Sequence, residues 1–179
     1  MADDWLPGLR RMDSPNFDAR PPGVAVDLVV VHNISLPPGC YGGDQIERLF
    51  TNRLTAGEHP FLDGLLDARV STHFFIDRTG SCTQFVSCLQ RAWHAGASEF
   101  RGRRRCNDYS IGIELEGTDF EAFAEAQYLA LNHLLDALGG AFPIKAIVGH
   151  SDIATDRKTD PGPFFRWDRV RMPAAQTAR

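Results

Sequence analysis

Asp27-Leu28-Val29-Val30-Val31 is a short, continuous apolar run, and it ends on His32. Three adjacent β-branched side chains favour an extended backbone. A run that does not alternate apolar with polar residues predicts a strand covered on both faces. Ile111-Gly112-Ile113-Glu114-Leu115-Glu116, within a predicted strand Ser110–Glu116, does alternate. Side chains two apart share a face, so Ile111, Ile113 and Leu115 point one way and Gly112, Glu114 and Glu116 the other. A third buried strand is predicted over Ile144–Val148 and leads through Gly149 to His150.

Thr72–Asp77 and Ser81–Val86 flank Arg78-Thr79-Gly80, a hairpin signature. Two helices are expected between the strands. One follows Asp44-Gln45-Ile46-Glu47, which reads as a capping box with apolar Ile46, Leu49, Phe50 and Leu54 at helical spacing. The other runs over residues 121–138, capped by Asp119 and stopped by Gly139-Gly140. Residues 1–23 read as an irregular lead-in, 55–69 as a loop with some local structure, and 90–109 as a long Arg-rich loop. The expected fold class is α/β, one domain over residues 1–179 with its core at about 25–170, built on a mixed central sheet flanked by helices.

The 179 residues carry a net charge of −4 and are 43% hydrophobic, enough for a real core. An acidic total argues against a nucleic-acid binder, although Arg101, Arg103, Arg104 and Arg105 form a basic cluster that is the only support for one. Met1-Ala2-Asp3-Asp4-Trp5 does not look like a secretory signal, and no apolar stretch approaches the ~18 residues of a membrane span. Cys40, Cys82, Cys88 and Cys106 contain no C-x-x-C pair, and free thiols in a reducing compartment are expected. These features together predict a cytoplasmic protein that meets neither membrane nor nucleic acid.

His32 and His150 both stand where a buried strand runs out, the place where ligand sites collect in open sheets. Position alone leaves two readings open: imidazoles satisfied by backbone carbonyls, or metal ligands. Lys158-Thr159-Asp160-Pro161-Gly162-Pro163 shifts the balance. The proline restricts Asp160 to extended backbone, and Gly162 allows the chain to turn back. Two histidines and one carboxylate leave a fourth tetrahedral position open, the pattern of a catalytic zinc; an iron triad uses the same residue types. Hydrolysis also needs a base. A carboxylate on a central strand is expensive to bury unless partnered, which makes Glu114 a better candidate base than Glu116 nearer the strand end, and Lys158, two residues before Asp160, can face the same site as a cation for an oxyanion. Each has a plainer alternative, a glutamate on the sheet surface and a solvated loop lysine.

Seven stretches in order resemble the AmpD branch of the zinc N-acetylmuramyl-L-alanine amidases, with peptidoglycan recognition proteins as more distant relatives. They are Val29–Gly39, Arg69–His73, Arg91-Ala92-Trp93-His94-Ala95-Gly96, Arg105–Asp108, Ser110–Asp119, Val148–Ala154 and Arg157–Pro163. The resemblance implies an amidase fold shared with the recognition proteins and zinc on His32, His150 and Asp160. It implies Glu114 as general base and Lys158 as transition-state stabiliser, with substrate contacts from Asn33, Arg69, Trp93 and Arg105. The implied reaction is hydrolysis of the amide between the lactyl group of 1,6-anhydro-N-acetylmuramic acid and L-alanine. The implied substrate is a small cytoplasmic muropeptide, met by a monomer during wall recycling, a task that in relatives also holds down signals for β-lactamase expression. A wall-remodelling amidase and a non-catalytic muropeptide-binding module are the alternatives. Phe61 after His59-Pro60 departs from the tyrosine common at that place and is expected to form an apolar wall. His59, His73, His94 and His133 are expected to hold no metal, with His73 and His133 structural.

Overall fold

The computed structural model describes residues 5–173, so the first four and last six residues of the expected domain lie outside the described residues. In chain order the elements are β1 Arg10–Arg11, β2 Phe17–Ala19, β3 Leu28–Ile34, α1 Gln45–Phe50, α2 Pro60–Asp63, β4 Phe74–Ile76, β5 Cys82–Gln84, β6 Gln90–Ala92, β7 Glu99–Phe100, β8 Arg103–Arg104, β9 Ser110–Glu116, α3 Glu125–Ala141, β10 Ala146–Gly149 and α4 His150–Ile153. Six strands form the central sheet in the order β1-β5-β4-β9-β3-β10. The strands β4, β9, β3 and β10 run parallel to one another, while β5 runs antiparallel to β4. The fold is thus a single α/β domain with a mixed central sheet.

The period of two along β3 and β9 sorts their side chains onto two faces. Val29, Val31, Ile111, Ile113 and Leu115 pack against Leu131, Leu134, Leu135 and Leu138 of α3. Each such side chain, fully buried, contributes about 1.5–3 kcal/mol from desolvation. Leu28 and Val30 face the other way, onto Ala95, Cys106, Tyr109 and Ile153. Farther along this second face, Phe75 packs with Leu49, Phe50, Leu62 and Phe85. His32 and Glu114 belong to this second face, the one opposite α3.

Several expectations differ in detail. The lead-in is not wholly irregular. The strand β1 extends the main sheet in parallel with β5, and β2 pairs with β6. The long Arg-rich loop likewise holds β6 and the small β7–β8 hairpin. Arg20 explains how the lead-in is held: its guanidinium donates to the carbonyl oxygens of Cys88, Asn107, Asp108 and Ser110. Burial pulls its pKa down to about 10, so it remains a cation held by carbonyl dipoles.

Neither predicted aspartate cap forms. Asp44 precedes α1 but makes no capping bond, and its carboxylate instead pairs with Arg48 at 3.2 Å. The helix ends at Phe50, short of Leu54. The long helix starts at Glu125, where the Gln127 side chain accepts from the Ala124 amide. Asp119 lies well before it and bonds elsewhere. Gly139 and Gly140 do not stop α3, which runs on to Ala141. A Cβ at Gly139 would stand 2.2 Å from Pro173, so that glycine makes room for the returning chain. None of the four cysteines forms a disulfide. No described helix is long and apolar enough to cross a membrane.

Candidate metal centre and active site

Parallel register places the chemistry in one row. Glu114 on β9 is the partner of His32 on β3, and Gly149 at the end of β10 is the partner of Val31. His150 follows Gly149 directly and so comes beside His32. Asp160 reaches the same point through its loop. Its carbonyl accepts from the Ser151 amide at 2.9 Å, and Pro161 lies so close to Gly149 that a Cβ there would be 2.7 Å from Pro161 Cδ. Gly162 takes φ +82°, where a side chain would also strike Asp119.

The three donor atoms converge. His32 Nδ1 is 3.0 Å from His150 Nδ1 and 3.0 Å from Asp160 Oδ2, and His150 Nδ1 is 3.1 Å from the same oxygen. The partner of the opposite ring nitrogen assigns the tautomer of His150. His150 Nε2 stands 3.1 Å from the Ala95 carbonyl, which only accepts, so Nε2 carries the proton and Nδ1 the lone pair. His32 Nε2 stands 2.9 Å from His94 Nδ1, and His94 Nε2 stands 3.2 Å from Ser110 Oγ. With Nε2 protonated on His32 as on His150, one of the two arrangements open to the His32–His94 pair, two lone pairs and a carboxylate oxygen face one point. Such a set needs a cation between its members. Zinc ligands at about 2 Å in a tetrahedron stand roughly 3.3 Å apart, close to the spacing here.

Electrostatics agree with that fit. Burial pushes the His32 pKa down to about 4, so its ring is neutral at physiological pH, the form that binds metal. Burial would raise the carboxyl of Asp160, and the two imidazoles against it more than reverse this, so it stays ionised below the usual carboxylate range. The same three residues are the metal-capable group of His, Cys, Asp and Glu found among the described residues.

Above this cluster opens a cleft of about 860 Å³, lined by His32, Glu114, His150, Lys158 and Asp160. Glu114 is buried, and its Oε2 has no hydrogen-bond partner among the described residues. Burial, then the charge of Asp160, hold its pKa well above the ordinary 4.5, while Lys158 opposes them. Glu116 differs: Oε1 accepts from the Gly42 amide at 2.7 Å and Oε2 from the Arg78 amide at 3.1 Å. It ties two loops to the strand end and does not line the cleft.

Of the other expected contacts, Asn33 and Trp93 line the cleft. Asn33 donates to Asp119 Oδ1 at 2.7 Å, and Trp93 donates to Asp18 Oδ1 at 3.2 Å. Phe61 also lines the cleft and is half exposed, as an apolar wall requires. Arg69 and Arg105 are not brought to it. Arg69 turns back to the carbonyls of Leu66 and Ala68. Arg105 pairs with Asp108 at 3.2 Å and borders a separate groove with Arg104 and Arg157. Two contributors were not singled out by sequence. Asp119 joins Asn33 to the Thr159 hydroxyl, so it fastens the Lys158–Asp160 loop to β3. His94 sits against His32, and the only sequence signals for it are its place after Trp93 and the glycine that interrupts β9. His73, as expected, is wholly buried and accepts from the Gly112 amide.

Comparison with known proteins bears on this arrangement. A family profile for N-acetylmuramoyl-L-alanine amidases matches residues 22–163. The chain is 52% identical over 170 residues to the 1,6-anhydro-N-acetylmuramyl-L-alanine amidase AmpD of Escherichia coli K12, covering 94% of this chain and 93% of the relative. It superposes on the crystal structure of a selenomethionine AmpD derivative with a TM-score of 0.92 at 49% identity, covering 96% and 97% of the two chains. It is also similar to the E. coli amidase AmiD solved in complex with anhydro-N-acetylmuramic acid-L-Ala-D-γ-Glu-L-Lys, with a TM-score of 0.61 at 28% identity, covering 84% of this chain and 58% of that one.

Proposed function

The chain belongs to the N-acetylmuramoyl-L-alanine amidase family, and from that premise we propose that it is a zinc enzyme acting on soluble anhydro-muropeptides. The bond cut is the amide between the lactyl group of 1,6-anhydro-N-acetylmuramic acid and L-alanine. His32, His150 and Asp160 hold the metal. The observation that carries this reading is the convergence of their three donor atoms, 3.0–3.1 Å apart, at the floor of the cleft beside an unpartnered carboxylate.

When bound, zinc supplies a Lewis acid for the amide carbonyl and makes water acidic enough to ionise near neutral pH. Glu114 is the general base. It takes a proton from the attacking water on its buried oxygen as the new C–O bond forms, and returns it to the alanine nitrogen as the C–N bond breaks. Burial moves the pKa of Glu114 up from the ordinary carboxylate range toward the working pH, where one group can both take the proton and return it. Lys158, on the same cleft wall, donates to the oxygen that gains negative charge. Asn33 and Trp93 orient the muropeptide from the cleft lining, while Arg69 and Arg105 would meet its charged groups only by leaving Leu66, Ala68 and Asp108, which hold them.

The proposed setting is the cytoplasm, where a monomer recycles wall fragments in which the anhydro sugar marks cleaved strands. The relatives named for the anhydro sugar support that substrate. Purified protein should be given anhydro-muramyl tripeptide, the reducing-sugar form and insoluble sacculi side by side. The first should turn over fastest and sacculi hardly at all. Efficient digestion of sacculi would make this a wall-remodelling amidase.

A further inference from the structure

The proposed ligand His32 gives its second nitrogen to an unusual partner. Ligating histidines commonly donate that N–H to a carboxylate, a carbonyl or water. Here the neighbour of His32 Nε2 is another imidazole, His94, at 2.9 Å, with the two rings edge to face at 83°. A neutral imidazole can accept or donate, so two hydrogen-bond chains are open to this pair. In one, His32 donates to His94 and His94 donates to Ser110 Oγ, leaving His32 Nδ1 as a lone pair. In the other, Ser110 donates to His94 and His94 to His32, which puts the remaining proton of His32 on Nδ1, where the metal belongs.

The His94 ring is built in rather than resting there. Asn107 Oδ1 accepts from the amides of His94 and Ala95, at 3.2 and 2.8 Å, and so fixes the backbone. The ring itself lies on Gly112 of β9: a Cβ at that position would stand 2.5 Å from His94 Cγ. A strand interior is a poor place for glycine, and this close approach accounts for it. Ser110, two residues earlier on the same face of β9, presents its hydroxyl to His94 Nε2 at 3.2 Å. One strand thereby supplies both the space for the ring and the anchor for its far nitrogen.

We propose that His94, seated on Gly112 and anchored by Ser110, is a positioning residue that accepts the Nε2 proton of His32 and thereby keeps His32 Nδ1 free for the metal. The proposal rests on the reading of His32 as a zinc ligand. Its strength is that it separates acceptor from bulk. In His94→Asn, Oδ1 occupies the place of Nδ1 and keeps an acceptor there; His94→Leu fills similar space without one. Gly112→Ala leaves every proposed ligand intact and displaces the ring.

The test is zinc affinity by chelator competition for wild type and these three variants, together with long-range proton–nitrogen spectra of the histidine rings in the metal-free proteins. His94→Leu and Gly112→Ala should bind zinc about 10- to 100-fold more weakly, the usual range for losing such a partner. His94→Asn should recover most of that loss. In the spectra, His32 should carry its proton on Nε2 in wild type and His94→Asn, and should gain the Nδ1 form in His94→Leu. Wild-type affinity in His94→Leu, or no recovery in His94→Asn, would overturn the positioning role while leaving the ligand assignment intact. Wild type that binds no zinc would overturn the ligand assignment itself, and the proposal with it.

Discussion

Glu114 lies directly across from His32 on the neighbouring parallel strand, and one of its two carboxylate oxygens has no hydrogen-bond partner among the described residues. Two positions along the same face, Glu116 has both oxygens engaged by backbone amides. The same residue type on one strand is thus held in two different environments. Glu114→Gln should lower turnover about 100-fold or more, the range for loss of a general base, while zinc content is unchanged. Glu116→Gln leaves one of two part-buried amides without a carboxylate acceptor and should cost about 1 kcal/mol of stability with far less effect on turnover. Steady-state kinetics and urea unfolding of both variants separate these effects, and the reverse ranking would assign the base to Glu116.

Lys158 lines the cleft with Glu114 and, in the proposed mechanism, meets charge that exists only in the transition state. A cation of that kind affects turnover more than substrate binding. Lys158→Ala should therefore lower kcat by about 100-fold with little change in KM. A change confined to KM would show that Lys158 binds the ground state.

Buried neutral histidines make the fold sensitive to acid. Burial, then the charge of Arg20, hold the pKa of His73 down to about 3. In the unfolded chain the same ring takes a proton near its ordinary 6.5. Between those values the unfolded state binds more protons, so stability falls as pH drops from about 6.5 toward 3 and is fully present above 6.5. Each such histidine contributes a slope of about 1.4 kcal/mol per pH unit. Urea unfolding of the metal-free protein between pH 7 and 4.5 should show that slope, shallower by about one histidine in His73→Asn. An equal slope in wild type and His73→Asn would contradict the neutral assignment of His73.

The sequence made the strands that carry the site legible because their signals are local. Val29–Val31 and the alternation of Ile111, Ile113 and Leu115 predict strands that the structure contains. His32, His150 and Asp160 stand out for the same reason, each marked by a strand end or a following proline. Their meeting was not legible from periodicity, since it depends on the register between β3, β9 and β10. The resemblance carried that part. Asp44 and Asp119 misled as caps because a carboxylate before an amphipathic run has other partners: Arg48 takes the first, Asn33 and Thr159 the second. The strand β1 was invisible because two arginines at a sheet edge have no apolar pattern. His94 reads in the sequence only as a histidine that holds no metal, because a lone histidine in an Arg-rich loop gives no sign of which ring it will touch.

The reaction proposed for this chain, cleavage of a muropeptide amide, depends on zinc held by His32, His150 and Asp160. The most direct test is the rate at which metal-stripped protein releases tripeptide from anhydro-muramyl tripeptide as zinc is titrated back. No release is expected from the stripped protein, and the rate should rise linearly to a break at one zinc per chain. Full release by the stripped protein, or no recovery on adding zinc to correctly folded chain, would contradict it.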